Sequence, residues 1–183
     1  MKKLILGLAI ICSITLNAQM FKGKADASSV SFFSKSPLED IEAINKNPVI
    51  VFNSATGDMQ SAIVMTKFKF KAALMEEHFN ENYVESEKYP SAVFKGKVNE
   101  KIDLSKDGEN KVTVTGKMDM HGVTKDVTLE GTITKKGNDL MVNCTFKIKV
   151  ADYNIKVPSL YVKNIAEVVD VTVISTMEPF VKK

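Results

Sequence analysis

The sequence predicts an all-β protein: an antiparallel up-and-down barrel of about eight strands with one short helical insert. Three observations carry that prediction. From Lys111 to Ala151, apolar or small residues occupy every second position through three successive runs. A period of two sustained this long describes strands with one dry face. The runs are joined by the short sequences His121-Gly122 and Lys136-Gly137-Asn138-Asp139, which make them neighbours in a meander. The last run, Glu167 to Met177, is rich in valine. An exposed apolar edge invites pairing between molecules, so this strand is expected to close against an early one.

Residues 1–19 stand apart from the fold. Lys2 and Lys3 form a basic start, Leu4 to Leu16 an apolar core, and Leu16-Asn17-Ala18 a cleavage region ahead of Gln19. This is the pattern of a secretory signal peptide and is short for a membrane anchor. Cys12 lies inside the apolar stretch, without the small residues that precede a lipidated cysteine, and reads as filler. Residues 20–183 then suit one domain burying on the order of 70% of its unfolded surface. Its expected location is the periplasm or the outside of the cell. Cys144 is the single cysteine of that part, so no intrachain disulfide is available. Burial and sheet pairing must hold the fold.

The formal charge of +3 includes Lys2 and Lys3, and about +1 remains without them. Lysines and acidic residues are scattered and mixed, with none of the dense basic patches that bind nucleic acid. Tryptophan is absent, against 10 phenylalanines and 9 methionines. Those residues fill irregular cores and equally adapt to a flexible hydrocarbon.

In chain order, Phe21 to Ala25 opens the first strand and Ser28 to Lys35 continues it until Pro37, with Val30 and Phe32 on one side. Leu38, Ile41 and Ile44 recur at helical spacing behind Glu39 and Asp40, which predicts one or two helical turns ending before Asn47-Pro48. Val49 to Asn53 is a short strand, and Ala55-Thr56-Gly57-Asp58 a turn. Gln60 to Phe70 is extended. An inward set of Ala62, Val64, Thr66, Phe68 and Phe70 would leave Ile63 and Met65 opposite, and apolar residues on both faces leave the register open. From Ala72 to Tyr83 the period changes. Leu74, Met75, His78, Phe79 and Tyr83 recur three and four apart along one side of a short helix that could plug or lid one barrel mouth. Tyr89-Pro90 leads into Ser91 to Asn99, where Ala92, Phe94, Gly96 and Val98 alternate. After the three central runs, a polar loop around Pro158 precedes the final strand, which Pro179 is expected to end.

Two passages carry a resemblance. Residues 71–98, KAALMEEHFNENYVESEKYPSAVFKGKV, and 116–131, GKMDMHGVTKDVTLEG, resemble passages of the YceI-like, polyisoprenoid-binding family. Tyr89-Pro90 and His121-Gly122-Val123-Thr124-Lys125 are the most specific parts. The resemblance spans Phe21 to about Met177. It implies a lipocalin-like barrel, exported in many bacteria, holding a long isoprenoid chain in its interior. The family's Arg-Asp pair ahead of the helix is replaced here by Phe70-Lys71-Ala72-Ala73-Leu74-Met75, and its later arginine-bearing segment by Ala151-Asp152-Tyr153-Asn154. With little to grip an anionic headgroup by a planar fork, a neutral or quinone-like lipid suits this chain better than a diphosphate.

The candidate ligand wall is Val64, Phe68, Phe70, Phe94, Met118, Met120, Leu129, Cys144, Phe146 and Val171, with Leu74, Met75, His78 and Phe79 closing a mouth. Patterning alone favours these residues meeting in a filled core, which would make the protein a secreted structural or protein-interaction barrel; the resemblance favours the cavity instead. Catalysis has no positive support. His78 and His121 are the only histidines and belong to no metal-binding spacing, and neither a nucleophile elbow nor a phosphate-binding loop is present. A lipid hydrolase or isomerase would instead require Glu76 or Asp152 to converge with His78. The expected protein is a non-catalytic binder of a hydrophobic lipid, without cofactor or metal. Homodimerisation and transient membrane contact stay open.

Overall fold

A computed structural model describes residues 19–35, 40–156 and 166–180. The expected leader over 1–18, Leu38 and the loop around Pro158 lie outside the described residues. The strands are β1 (Met20–Ser34), β2 (Ile41–Asn45), β3 (Val49–Asn53), β4 (Asp58–Val64), β5 (Lys69–Phe70), β6 (Ser91–Val98), β7 (Gly108–Met120), β8 (Val123–Lys136), β9 (Asp139–Lys149) and β10 (Val168–Phe180). All neighbours are antiparallel, and β10 returns to pair with β1 from Met20↔Phe180 to Phe33↔Asp170. The result is an eight-stranded closed barrel. β2 and β3 act as one interrupted strand beside β1, and β4 and β5 as the next.

Closure removes the open edge that the valine-rich β10 would otherwise present. The strand runs through Pro179, opposite Phe21, rather than ending there. The ladder with β1 skips between Gly23 and Ser28. This irregularity joins the two expected halves of the first strand into one bent element. Gly116 lets β7 approach β6 closely, since a Cβ there would lie 2.3 Å from the Lys95 carbonyl oxygen.

Residues 41–45 correct the helical expectation. Ile41 and Ile44, three apart, suit either structure, but pairing with β1 on one side and β5 on the other makes this segment a strand. Tertiary pairing overrides a weak local period here. Ala43 sits opposite both Phe32 and Phe70, whose rings are 5.8 Å apart, so a small residue is what fits between them. Asn45, fully buried, holds the break before Pro48. Its Oδ1 accepts from the Asn47 N–H at 2.8 Å and its Nδ2 donates to the Val64 carbonyl at 2.9 Å. A buried amide satisfied at both ends replaces the ladder bonds that the break forfeits.

The insert is α1 (Ala73–His78) continued by a π-helical turn, Phe79–Tyr83. The wider turn brings the Val84 N–H onto the Phe79 carbonyl at 2.9 Å. Phe79 anchors the insert in an aromatic cluster, with centroids 5.5 Å from Phe32, 5.6 Å from Phe68 and 5.1 Å from Phe70. Each such pair contributes about 0.5–1.5 kcal/mol beyond its area.

Candidate functional site

Alternation along the strands sends one face of every run inward, but the two ends of the barrel treat that face differently. At the end away from the insert the interior is filled. Phe21, Phe52, Leu140 and Met177 are each at most 3% exposed. Toward the insert, Leu129, Phe146, Ile148 and Val173 face inward yet remain only half-buried. They border a cavity of about 570 Å³, within the ~300–1,000 Å³ of ordinary small-molecule sites. Leu74 is 60% exposed and also borders the cavity, which places the lip at α1.

Phe68, Phe70, Leu74, Met75, His78, Phe79, Phe94, Met118, Met120, Leu129, Cys144, Phe146 and Val171 all border this cavity. Val64 does not. In β4 the inward set is Met59, Ser61, Ile63 and then Met65, the reverse of the Ala62, Val64, Thr66 phase. A single 3-10 turn, Met65–Lys67, then shifts the phase by one residue, so Phe68 and Phe70 still face inward. An expectation built on an unbroken strand could not contain that shift. Residues absent from the expected wall include Ile41, predicted on a helix, together with Val150, the first residue of the 3-10 turn after β9, and Ile155, just past the cap of that turn. Their strand or cap setting exists only after folding.

The wall is chemically plain. Among the described residues no lysine, aspartate or glutamate borders the cavity, and its polar side chains include Ser34, Ser61, His78 and Tyr83. All 25 basic residues of the chain are lysines, so no arginine fork exists anywhere in it. Glu76 pairs with Lys69 at 2.5 Å, and Asp152 with Lys125 at 3.5 Å.

Cys144 stands between Gly131 and Val173 in the ladders, and burial pushes its thiol up to about 11. It is therefore a neutral, small apolar group at ordinary pH. Alkylation of Cys144 by an apolar maleimide, followed by mass spectrometry, should run on the order of 10²-fold slower near pH 7 than in the unfolded chain. The rate should climb with pH toward 11, because only the thiolate reacts. Equal rates in folded and unfolded protein would contradict this placement.

His121 does not border the cavity; it ties the insert to the barrel rim. His121 and Gly122 have φ of 52° and 72° between Met120 and Val123, the two left-handed residues of a type I′ hairpin turn. The His121 Nδ1–H donates to the Tyr153 carbonyl at 2.9 Å, and Nε2 meets Glu85 Oε2 at 2.9 Å. The Tyr89 ring packs against the imidazole at 4.4 Å. Gly122 is required twice, since a Cβ would lie 2.8 Å from the Tyr89 ring as well as straining the turn. Tyr89-Pro90 and His121-Gly122, far apart in the chain, are thus one clasp. Asn154 and Glu85 add left-handed turns beside it, at φ 57° and 45°.

A closed antiparallel barrel with a blind apolar cavity beneath a helical insert defines a lipocalin-like barrel suited to a hydrophobic guest. The YceI-like domain model matches residues 20–176, and the chain belongs to that family. Protein YceI of Escherichia coli O17:K52:H18 is 30% identical over 111 residues, covering 57% of this chain and 55% of that protein. The chain thus spans about half the length of the curated relatives it matches. In fold it is similar to a polyisoprenoid binding domain from Saccharophagus degradans implicated in plant cell wall breakdown. That comparison has a TM-score of 0.75 at 18% identity, covering 87% of this chain and 98% of the other. Burkholderia cenocepacia BcnA gives 0.71 at 20% identity, covering 84% and 98%.

Proposed function

We propose that the protein binds one long-chain hydrophobic lipid, isoprenoid or quinone-like, inside the barrel and performs no chemistry on it. The observation that carries this reading is the set of inward, half-buried apolar side chains around the 570 Å³ cavity. A filled structural barrel would bring those side chains into contact across the interior. Each CH₂ transferred from water into such a wall contributes about 0.8 kcal/mol, so a chain gains affinity without many polar contacts. A wall in which no described lysine, aspartate or glutamate stands, and an arginine-free chain, favour a guest with a neutral head, placed near His78 and Tyr83 at the lip. The polyisoprenoid binding named for the Saccharophagus degradans domain supports the choice of chain. Export through the leader would put storage, protection or transport of the lipid in the periplasm or outside the cell. Transient membrane contact at the Leu74 lip would allow loading.

Full-length protein expressed in a bacterial host and purified without detergent should carry one lipid per barrel by native mass spectrometry. Organic extraction should identify a long hydrocarbon chain. Empty protein that also rejects added polyprenol and quinone would overturn the proposal.

A further inference from the structure

The cavity is blind, and its closed end has a definite composition. Phe21 lies opposite Phe52 and Leu140 opposite Met177, with the two rings 6.4 Å apart. These four face inward but border none of the hollow. Directly above them stands Ile133, itself 0% exposed, two residues along β8 from the partner of Leu140. With Val112 it closes the lower end of the cavity. The opposite end is the lip at Leu74, so a linear guest entering there runs toward Ile133.

We propose that Ile133 is the chain-length stop of this cavity. The inference rests on the lipid-binding reading above and adds to it the feature that selects among guests of one chemistry. Above the stop, each further CH₂ finds apolar wall and raises affinity about fourfold. Once the chain end reaches Ile133, further carbons must stay outside or buckle against a close-packed floor, and the gain ends.

The test offers delipidated full-length protein a mixture of saturated primary alcohols differing only in chain length, with retained species read by native mass spectrometry. The wild type should show retention rising with length and then levelling or falling at a definite length. Ile133→Ala vacates space at the floor and should move that cut-off up by about two to three CH₂. Val112→Phe adds a ring two residues nearer the lip along the ladder, where Gly131 opposite carries no side chain to collide with; it should move the cut-off down. Should Ile133→Ala fail to fold, the milder Ile133→Val decides: it vacates one methyl at the floor and should move the cut-off up by about one CH₂. A cut-off unchanged in the folded variants, or no cut-off in the wild type, overturns the stop. Rejection of every alcohol by the wild type would instead overturn the lipid-binding reading itself.

Discussion

Replacing Leu129 by tryptophan should cut retention of a long-chain lipid at least about a hundredfold while leaving the barrel folded. Leu129 faces inward from β8, opposite Val114, and stays half-buried because it borders the hollow. An indole there would occupy volume that a guest otherwise fills. Displacing about four CH₂ groups, at about fourfold each, accounts for the loss. In a close-packed core the same enlargement would cost about 1–3 kcal/mol. Here the ring has room, so the thermal midpoint should hold or rise. The chain has no other tryptophan, so its emission would report a dry cavity directly. Thr128→Trp, on the exposed outer face one residue away, is the control. Undiminished lipid retention by folded Leu129→Trp would show that the guest does not lie in this space.

The second large effect is expected at His121. Its ring is 9% exposed and spans the β7–β8 hairpin, the 3-10 turn after β9 and the end of the insert. His121→Ala removes the bond to the Tyr153 carbonyl, the packing on Tyr89 and the contact with Glu85. It also places alanine at φ 52°. Glu85 is 48% exposed, so its share is the smaller one. Together the losses come to about 2–4 kcal/mol, a fall in thermal midpoint of roughly 5–12 °C. His121→Asn tolerates the left-handed turn and should recover the backbone part alone. Released from the rim, the insert should open locally. The Ser86 and Tyr89 amides, bonded to Asn80 and Glu85 carbonyls at 2.8 and 2.9 Å, should exchange faster than those flanking Ile133. Unchanged exchange at Ser86 and Tyr89 would mean that His121 is only a turn residue.

These two sites differ in how far the chain alone announced them. The inward direction of Leu129 follows from alternation with Thr128 and Glu130, because one face of a barrel strand must be dry. His121 reads as a hairpin turn, and it is one. Its partners Glu85 and Tyr153 are 36 and 32 residues away, a distance no local pattern spans. Tyr89-Pro90 and His121-Gly122 carry the family resemblance as separate signatures. Their contact supplies a physical reason for both. The phase of β4 was open for a different cause, since apolar residues fill both faces and the 3-10 turn at Met65–Lys67 changes the count midway.

Periodicity, turn residues and a valine-rich last strand were enough to establish a closed meander, because a two-residue period leaves few ways to bury one face. Whether that face encloses a solid core or a space was left to the assembled barrel. Alternation states which side chains point inward and is silent on how far apart the opposing walls stand. That separation follows from the number of strands, the bend of β1, the filled floor beneath Ile133 and the Phe79 cluster holding the insert over the mouth, none of which is a property of any one segment.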